Sequence, residues 1–140
     1  MEQFLEFAGN HPFLVGGTAV ILVLVIVNEL RLRGQAGTTL SPTDAIRLIN
    51  QGAHVLDVRS ADQFAQGHLQ GARHVSADAM GNTVEKLKKN VGKPVLTYCD
   101  SGAVSARATA VLRGAGFEQA FSLRGGVTEW KRENLPLSQD

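Results

Sequence analysis

Apolar and polar positions divide the chain into two unlike parts. From Phe13 to Val27 it reads FLVGGTAVILVLVIV, with no charge. A run apolar on every side of a helix has no solvent face, so it predicts a helix with apolar surroundings all round. The uncharged stretch falls short of the ~20 residues of a spanning helix. Leu30 and Leu32 extend it, because Arg31 and Arg33 can snorkel to headgroups. His11-Pro12 marks the start, since proline suits a helix's first turn. The pattern predicts a short segment 1–12, a transmembrane anchor over 13–32 and a linker over 33–38, where Gly34 to Thr38 reads GQAGT. A signal peptide would need a positive flank, but Glu2 and Glu6 are the only charged side chains before the run. It would also need small residues where Asn28-Glu29-Leu30-Arg31 stands. An interfacial helix would need a polar face. Arg31 and Arg33 follow the run and no Lys or Arg precedes it, which places Met1 outside and the rest in the cytoplasm.

Over 39–140 the pattern changes to short apolar runs alternating with amphipathic stretches. Ser41-Pro42 starts a helix whose apolar stripe is Ala45, Ile46, Leu48 and Ile49, and Gly52 ends it. Val55-Leu56-Asp57-Val58 reads as a buried strand interrupted by Asp57. A short helix over 60–66, a Gly-flanked loop over 67–72 and a brief strand over 73–75 follow. A helix over 83–90 leads to a strand ending at Cys99, then come a helix over 101–113, a strand over 120–123 and a last helix over 127–133. This alternation predicts an α/β domain with a mainly parallel sheet.

Composition narrows the chemistry. The net charge is +1 with basic residues scattered, so nucleic acid is not an expected partner. A single cysteine excludes an internal disulfide and a cysteine-based zinc cluster, and four scattered histidines show no metal spacing. No metal or cofactor is expected. The single cysteine ends an apolar strand and precedes Asp100-Ser101-Gly102-Ala103-Val104-Ser105. Strand, loop and helix N-terminus aim free N–H groups at whatever the loop holds. A thiol there has a lowered pKa, unless Cys99 is simply a buried strand end.

Several stretches together resemble a rhodanese-like domain over residues 38–137. They are Val55-Leu56-Asp57-Val58-Arg59-Ser60 with Phe64, Gly67-His68-Leu69-Gln70-Gly71-Ala72, Tyr98-Cys99-Asp100-Ser101-Gly102, and Phe121-Ser122-Leu123-Arg124-Gly125-Gly126 with Trp130 and Leu135-Pro136. Anchor plus domain is similar to bacterial single-pass, membrane-bound members of that family, and this implies the inner membrane. The resemblance implies a central parallel sheet flanked by helices. It also implies a sulfurtransferase whose cysteine takes sulfane sulfur from a donor and passes it to an acceptor thiol or cyanide. Cys99 would be the nucleophile. The loop from Asp100 through Ser101, Gly102, Ala103, Val104 and Ser105 would bind the sulfur anion, with Asp57 and Arg59 lining the site or fixing its loop. Donor and acceptor are expected to be small molecules or proteins, with a membrane protein as a further candidate partner.

The loop departs from the family pattern. Members that use thiosulfate well commonly carry an arginine two residues after the loop glycine, where Val104 stands here. Asp100 adds a carboxylate beside the thiol, which raises its pKa and repels anions. Arg107 lies farther on. The expectation is a thiol pKa below the ordinary value and weak use of thiosulfate. The alternative is a non-catalytic module that docks a partner at the membrane. Cysteine phosphatases need an arginine six residues after the cysteine, and that residue is Ser105. His68 reads as a loop-fixing side chain, Trp130 as core, His54 and His74 as incidental. Lys86, Lys88 and Lys89 read as a solvated face or one that meets anionic headgroups.

Overall fold

The structure is a computed structural model that describes the backbone of residues 1–140 and the side chains of all but residues 35 and 36. It divides into two units, Met1–Gly37 and Thr38–Asp140.

The first unit holds two helices, α1 (Glu2–Asn10) and α2 (Pro12–Ala36). Residues Pro12–Gly34 have a mean hydropathy of 2.3 and none of the span is buried. At 1.5 Å per residue the helix is long and apolar enough to cross a membrane. It continues through Arg33 and Gly34, where the composition predicts a linker. One glycine costs a helix only ~1 kcal/mol, too little to end one already propagating. The helix α1 has no counterpart in the sequence expectation.

The second unit is a five-stranded, wholly parallel sheet in the order β1-β5-β4-β2-β3. The strands are β1 (Thr39–Leu40), β2 (His54–Asp57), β3 (Arg73–His74), β4 (Val95–Tyr98) and β5 (Ala120–Leu123). Helices α3 (Pro42–Asn50), α4 (Ala61–Gln66), α5 (Met80–Leu87), α6 (Ala103–Gly114) and α7 (Gly126–Arg132) connect or follow them. Strand β4 is buried throughout and its side chains alternate between two cores. Val95 joins Leu56, Val84, Leu87, Leu112 and Phe117, whereas Leu96 and Tyr98 join Val55, Leu69, Leu123, Val127 and Trp130. Two-sided burial is what favours a parallel sheet over an alternating, half-wet one.

Caps set several helix starts. The Ser41 hydroxyl accepts from the Asp44 N–H, and Pro42 opens α3. Ser60 and Gln63 form a reciprocal capping box on α4. Helix α5 begins at Met80, earlier than the expected Thr83, because a turn of 3-10 helix capped by Ser76 feeds it. Met80, Val84 and Leu87 then lie one above another on its buried face. The two-residue strand β1 is too short to show an apolar period.

The chain leaves β2 toward β3 on one side and leaves β4 toward β5 on the other. In such sheets ligands sit beyond the strand carboxyl ends where connections diverge. Arg59 follows β2 and Cys99 follows β4 at that divergence.

Candidate active site

Cys99 follows β4 and is buried. Its Sγ accepts the Gly102 N–H at 3.0 Å and the Ser105 N–H at 3.4 Å, and lies 3.5 Å from the Ser105 hydroxyl. That hydroxyl is 3.1 Å from the Gly102 carbonyl. In the thiol state S–H can donate to Oγ while Oγ–H donates to Gly102; in the thiolate state the hydroxyl can turn to the sulfur. Burial pushes the Cys99 thiol up. The Ser105 hydroxyl and the N–H groups of Ser105, Gly102 and Ser101 outweigh it, and the pKa falls below its ordinary value.

The loop holds this shape through contacts on three sides. Gly102 has φ 99°, open to glycine but costly for other residues, and a Cβ there would lie 3.4 Å from Leu123 O and Gly125 N. Arg124, between those two atoms in the chain, is exposed. Helix α6 is pinned by Thr97, whose Oγ1 contacts Ser105 O at 3.0 Å and Thr109 Oγ1 at 2.8 Å. The start of α7 caps the loop, since Val127 N–H donates to Cys99 O at 2.9 Å and Thr128 N–H to Asp100 O at 3.1 Å. Gly126 permits this approach: it has φ 57°, and a Cβ there would collide with Cys99 O and the Asp100 carbonyl group. In the sequence Gly125-Gly126 stands only within the closing stretch of the resemblance, and this clamp on the cysteine loop has no local sequence signal.

The Asp100 carboxylate turns away from the sulfur. Its Oδ2 accepts from Gln63 Nε2 at 2.6 Å, its Oδ1 lies 3.9 Å from Arg59 Nη1, and the side chain is 55% exposed. It is not among the leading influences on the thiol's pKa. Exposure and a nearby guanidinium screen it. The side chains of Ala103 and Val104 are exposed. Arg107 is exposed on α6, and its side chain makes no hydrogen bond or ion pair among the described residues.

Asp57 and Arg59 form a buried pair with side chains 0% and 5% exposed. Arg59 donates from Nη2 to Asp57 Oδ2 at 2.6 Å and from Nε to both carboxylate oxygens at 3.0 Å. Nη2 also donates to Gly67 O at 2.7 Å, and the guanidinium lies over the Tyr98 ring. Both Asp57 oxygens are thus engaged inside the protein. The pair ties the ends of β2 and β4 to the Gly67 loop. His68 stacks on Phe64 and its Nδ1 is 2.9 Å from Phe64 O, while His74 Nε2 is 2.7 Å from Arg59 O. Trp130 is buried core and donates to Pro136 O. No cluster of metal-ligating side chains occurs among the described residues.

Residues 41–133 match the model of the rhodanese-like domain. The YibN protein of Escherichia coli K12 is 34% identical over 139 residues, covering 98% of this chain and 97% of that protein. A thiosulfate sulfurtransferase, GlpE of Actinobacillus pleuropneumoniae serotype 7, is 32% identical over 101 residues, 71% of this chain and 92% of its own. Among solved structures, the polysulfide-sulfur transferase homodimer of Wolinella succinogenes superposes with a TM-score of 0.65 at 28% identity, covering 81% of this chain and 88% of that one.

Proposed function

The chain belongs to the rhodanese-like domain family, and on that premise we propose that it is a membrane-anchored sulfurtransferase carrying sulfane sulfur as a persulfide on Cys99. The observation that carries this reading is the sulfur's environment: two backbone N–H groups donate to Sγ beside the Ser105 hydroxyl. Such donors stabilise a sulfur anion before any substrate arrives, so little reorganisation is needed at the moment of reaction.

The steps follow from that environment. The Cys99 thiolate attacks the outer sulfur of a donor R–S–S⁻ or thiosulfate. An Sγ–S bond forms, the donor's bond to that sulfur breaks, and the electron pair leaves with the thiolate or sulfite. The terminal sulfur of the persulfide then carries the negative charge. The first-turn N–H groups of α6, at Ala103 and Val104, lack helix-internal acceptors and suit an anion one bond beyond Sγ. An acceptor thiolate next attacks the terminal sulfur, the Sγ–S bond breaks, and the Cys99 thiolate returns. Atoms and electrons balance without a metal or redox cofactor.

The reading also includes weak use of thiosulfate. Val104 stands where a cation would offset a dianion. Val104→Arg should raise thiosulfate:cyanide transfer roughly tenfold, a gain of about 1.4 kcal/mol from one partly exposed charge. Steady-state assay of the two proteins checks it, and equal rates would refute this electrostatic account. Val104 also favours the second reading, a docking module without turnover; a Cys99 that takes sulfur from no donor would establish it.

Anchoring through α2 is part of the same proposal, with the domain in the cytoplasm of the bacterial inner membrane. Arg31 and Arg33 after the span support that orientation. A reporter active only in the cytoplasm should work when fused after Asp140, and an active periplasmic phosphatase at that site would overturn the orientation.

A further inference from the structure

A cavity of about 420 Å³ lies near the amino ends of β2 and β4, whereas Cys99 follows the carboxyl end of β4. Its lining includes His54, Arg73, His74, Lys86 and Lys93, with Thr83 as a further polar side chain and no acidic residue. Arg73, Lys86 and Lys93 are exposed, and none forms an ion pair among the described residues. The His54 ring is different: its Nε2 is buried and has no hydrogen-bond partner. Cations from β3, α5 and the approach to β4 line one cavity with the His54 ring, and no acidic side chain lines it with them.

We propose that this cavity is an oxyanion site for a phosphate- or sulfate-type group, with Arg73, Lys86 and Lys93 supplying charge and the His54 ring in its wall sensing it through space. The site is separate from Cys99 and does not depend on the sulfurtransferase reading. Burial, Lys93 and Arg73 together hold the His54 pKa below its ordinary value. His74, the other titratable ring in the lining, is held by Arg59 O. A bound anion offsets the cations and raises the His54 pKa. By linkage, the protonated ring then binds the anion more tightly.

The test uses the full chain in phosphatidylcholine nanodiscs, with the four histidine rings followed by NMR. His54→Gln identifies the His54 resonance. The probe is inorganic sulfate, whose charge is constant across the histidine range, against chloride at equal ionic strength, because plain screening also lifts a pKa held down by cations. Sulfate should move the His54 resonances saturably and raise its pKa by about one unit, equivalent to about tenfold tighter binding to the charged ring. Arg73→Gln with Lys93→Gln should weaken the response at least tenfold. A second arm replaces sulfate with phosphatidylglycerol in the disc. A His54 response there, without sulfate, assigns the group to a lipid phosphate; a response to sulfate alone assigns it to a free anion. Either supports the site. Equal responses to sulfate and chloride with no response to phosphatidylglycerol, or an undiminished response in the double variant, would overturn it.

Discussion

Cys99→Ser is expected to abolish sulfur transfer from every donor while leaving the domain folded. A hydroxyl has nearly the shape of a thiol, but its pKa is too high for it to be an anion in this loop, and its oxygen does not hold a labile sulfane sulfur. The two N–H donors from Gly102 and Ser105 would still find an acceptor, so the substitution removes chemistry rather than structure. Ser105→Ala separates the cradle from the nucleophile. The Ser105 side chain is buried at 0% exposure and its hydroxyl is the strongest single influence lowering the thiol's pKa. Hydrogen bonds to charged groups are worth about 1.5–3 kcal/mol, which is one to two pKa units. Loss of the hydroxyl therefore raises the pKa, leaves less thiolate at neutral pH and moves the pH profile of alkylation at Cys99 upward by that amount. An unchanged profile would show that the backbone donors alone set the thiol's acidity.

Asp57→Ala should cause the largest loss of stability. Removing one partner of a buried pair strands the other charge, at a cost of about 3–5 kcal/mol. Arg59 would keep its bond to Gly67 O but lose every bond to the carboxylate. For a domain of this size the melting temperature should fall by at least about 12 °C. Trp130, the only tryptophan and a core residue, reports that transition by its fluorescence even in the full chain. Arg59→Met added to Asp57→Ala should recover part of the loss, because the stranded charge is then gone. A single variant that melts with the wild type would mean that the pair does not tie β2 and β4 to the Gly67 loop.

The fold was legible because its signals are local. Ser41-Pro42 and Ser60 announce helix starts within a few residues, and the apolar runs at Val55 and Val95 match strands buried on both faces. The strand–loop–helix at Cys99 is local too, and its amides reach the sulfur within six residues. The supports of the site are not local. Gly126 and Val127 clamp the loop from 27 and 28 positions beyond Cys99, and Gln63 reaches Asp100 across 37. No period or spacing encodes such a contact, since it exists only once β4 lies between β5 and β2. The same holds for Asp57 and Arg59: their types suggest a polar site, but only the structure places both Asp57 oxygens on Arg59. The effect of Asp100 also depends on direction, which the sequence does not carry.

The most direct test of the account is intact-protein mass spectrometry after exposure of the full chain to polysulfide, a glutathione persulfide and thiosulfate in turn. The account predicts a gain of one sulfur atom, mapped to Cys99, absent in Cys99→Ser and removed by a thiol acceptor or cyanide. It also predicts heavier loading from the persulfides than from thiosulfate. A chain that gains no sulfur from any of these donors, with its thiol still open to alkylation, would contradict the account and leave the domain a docking module.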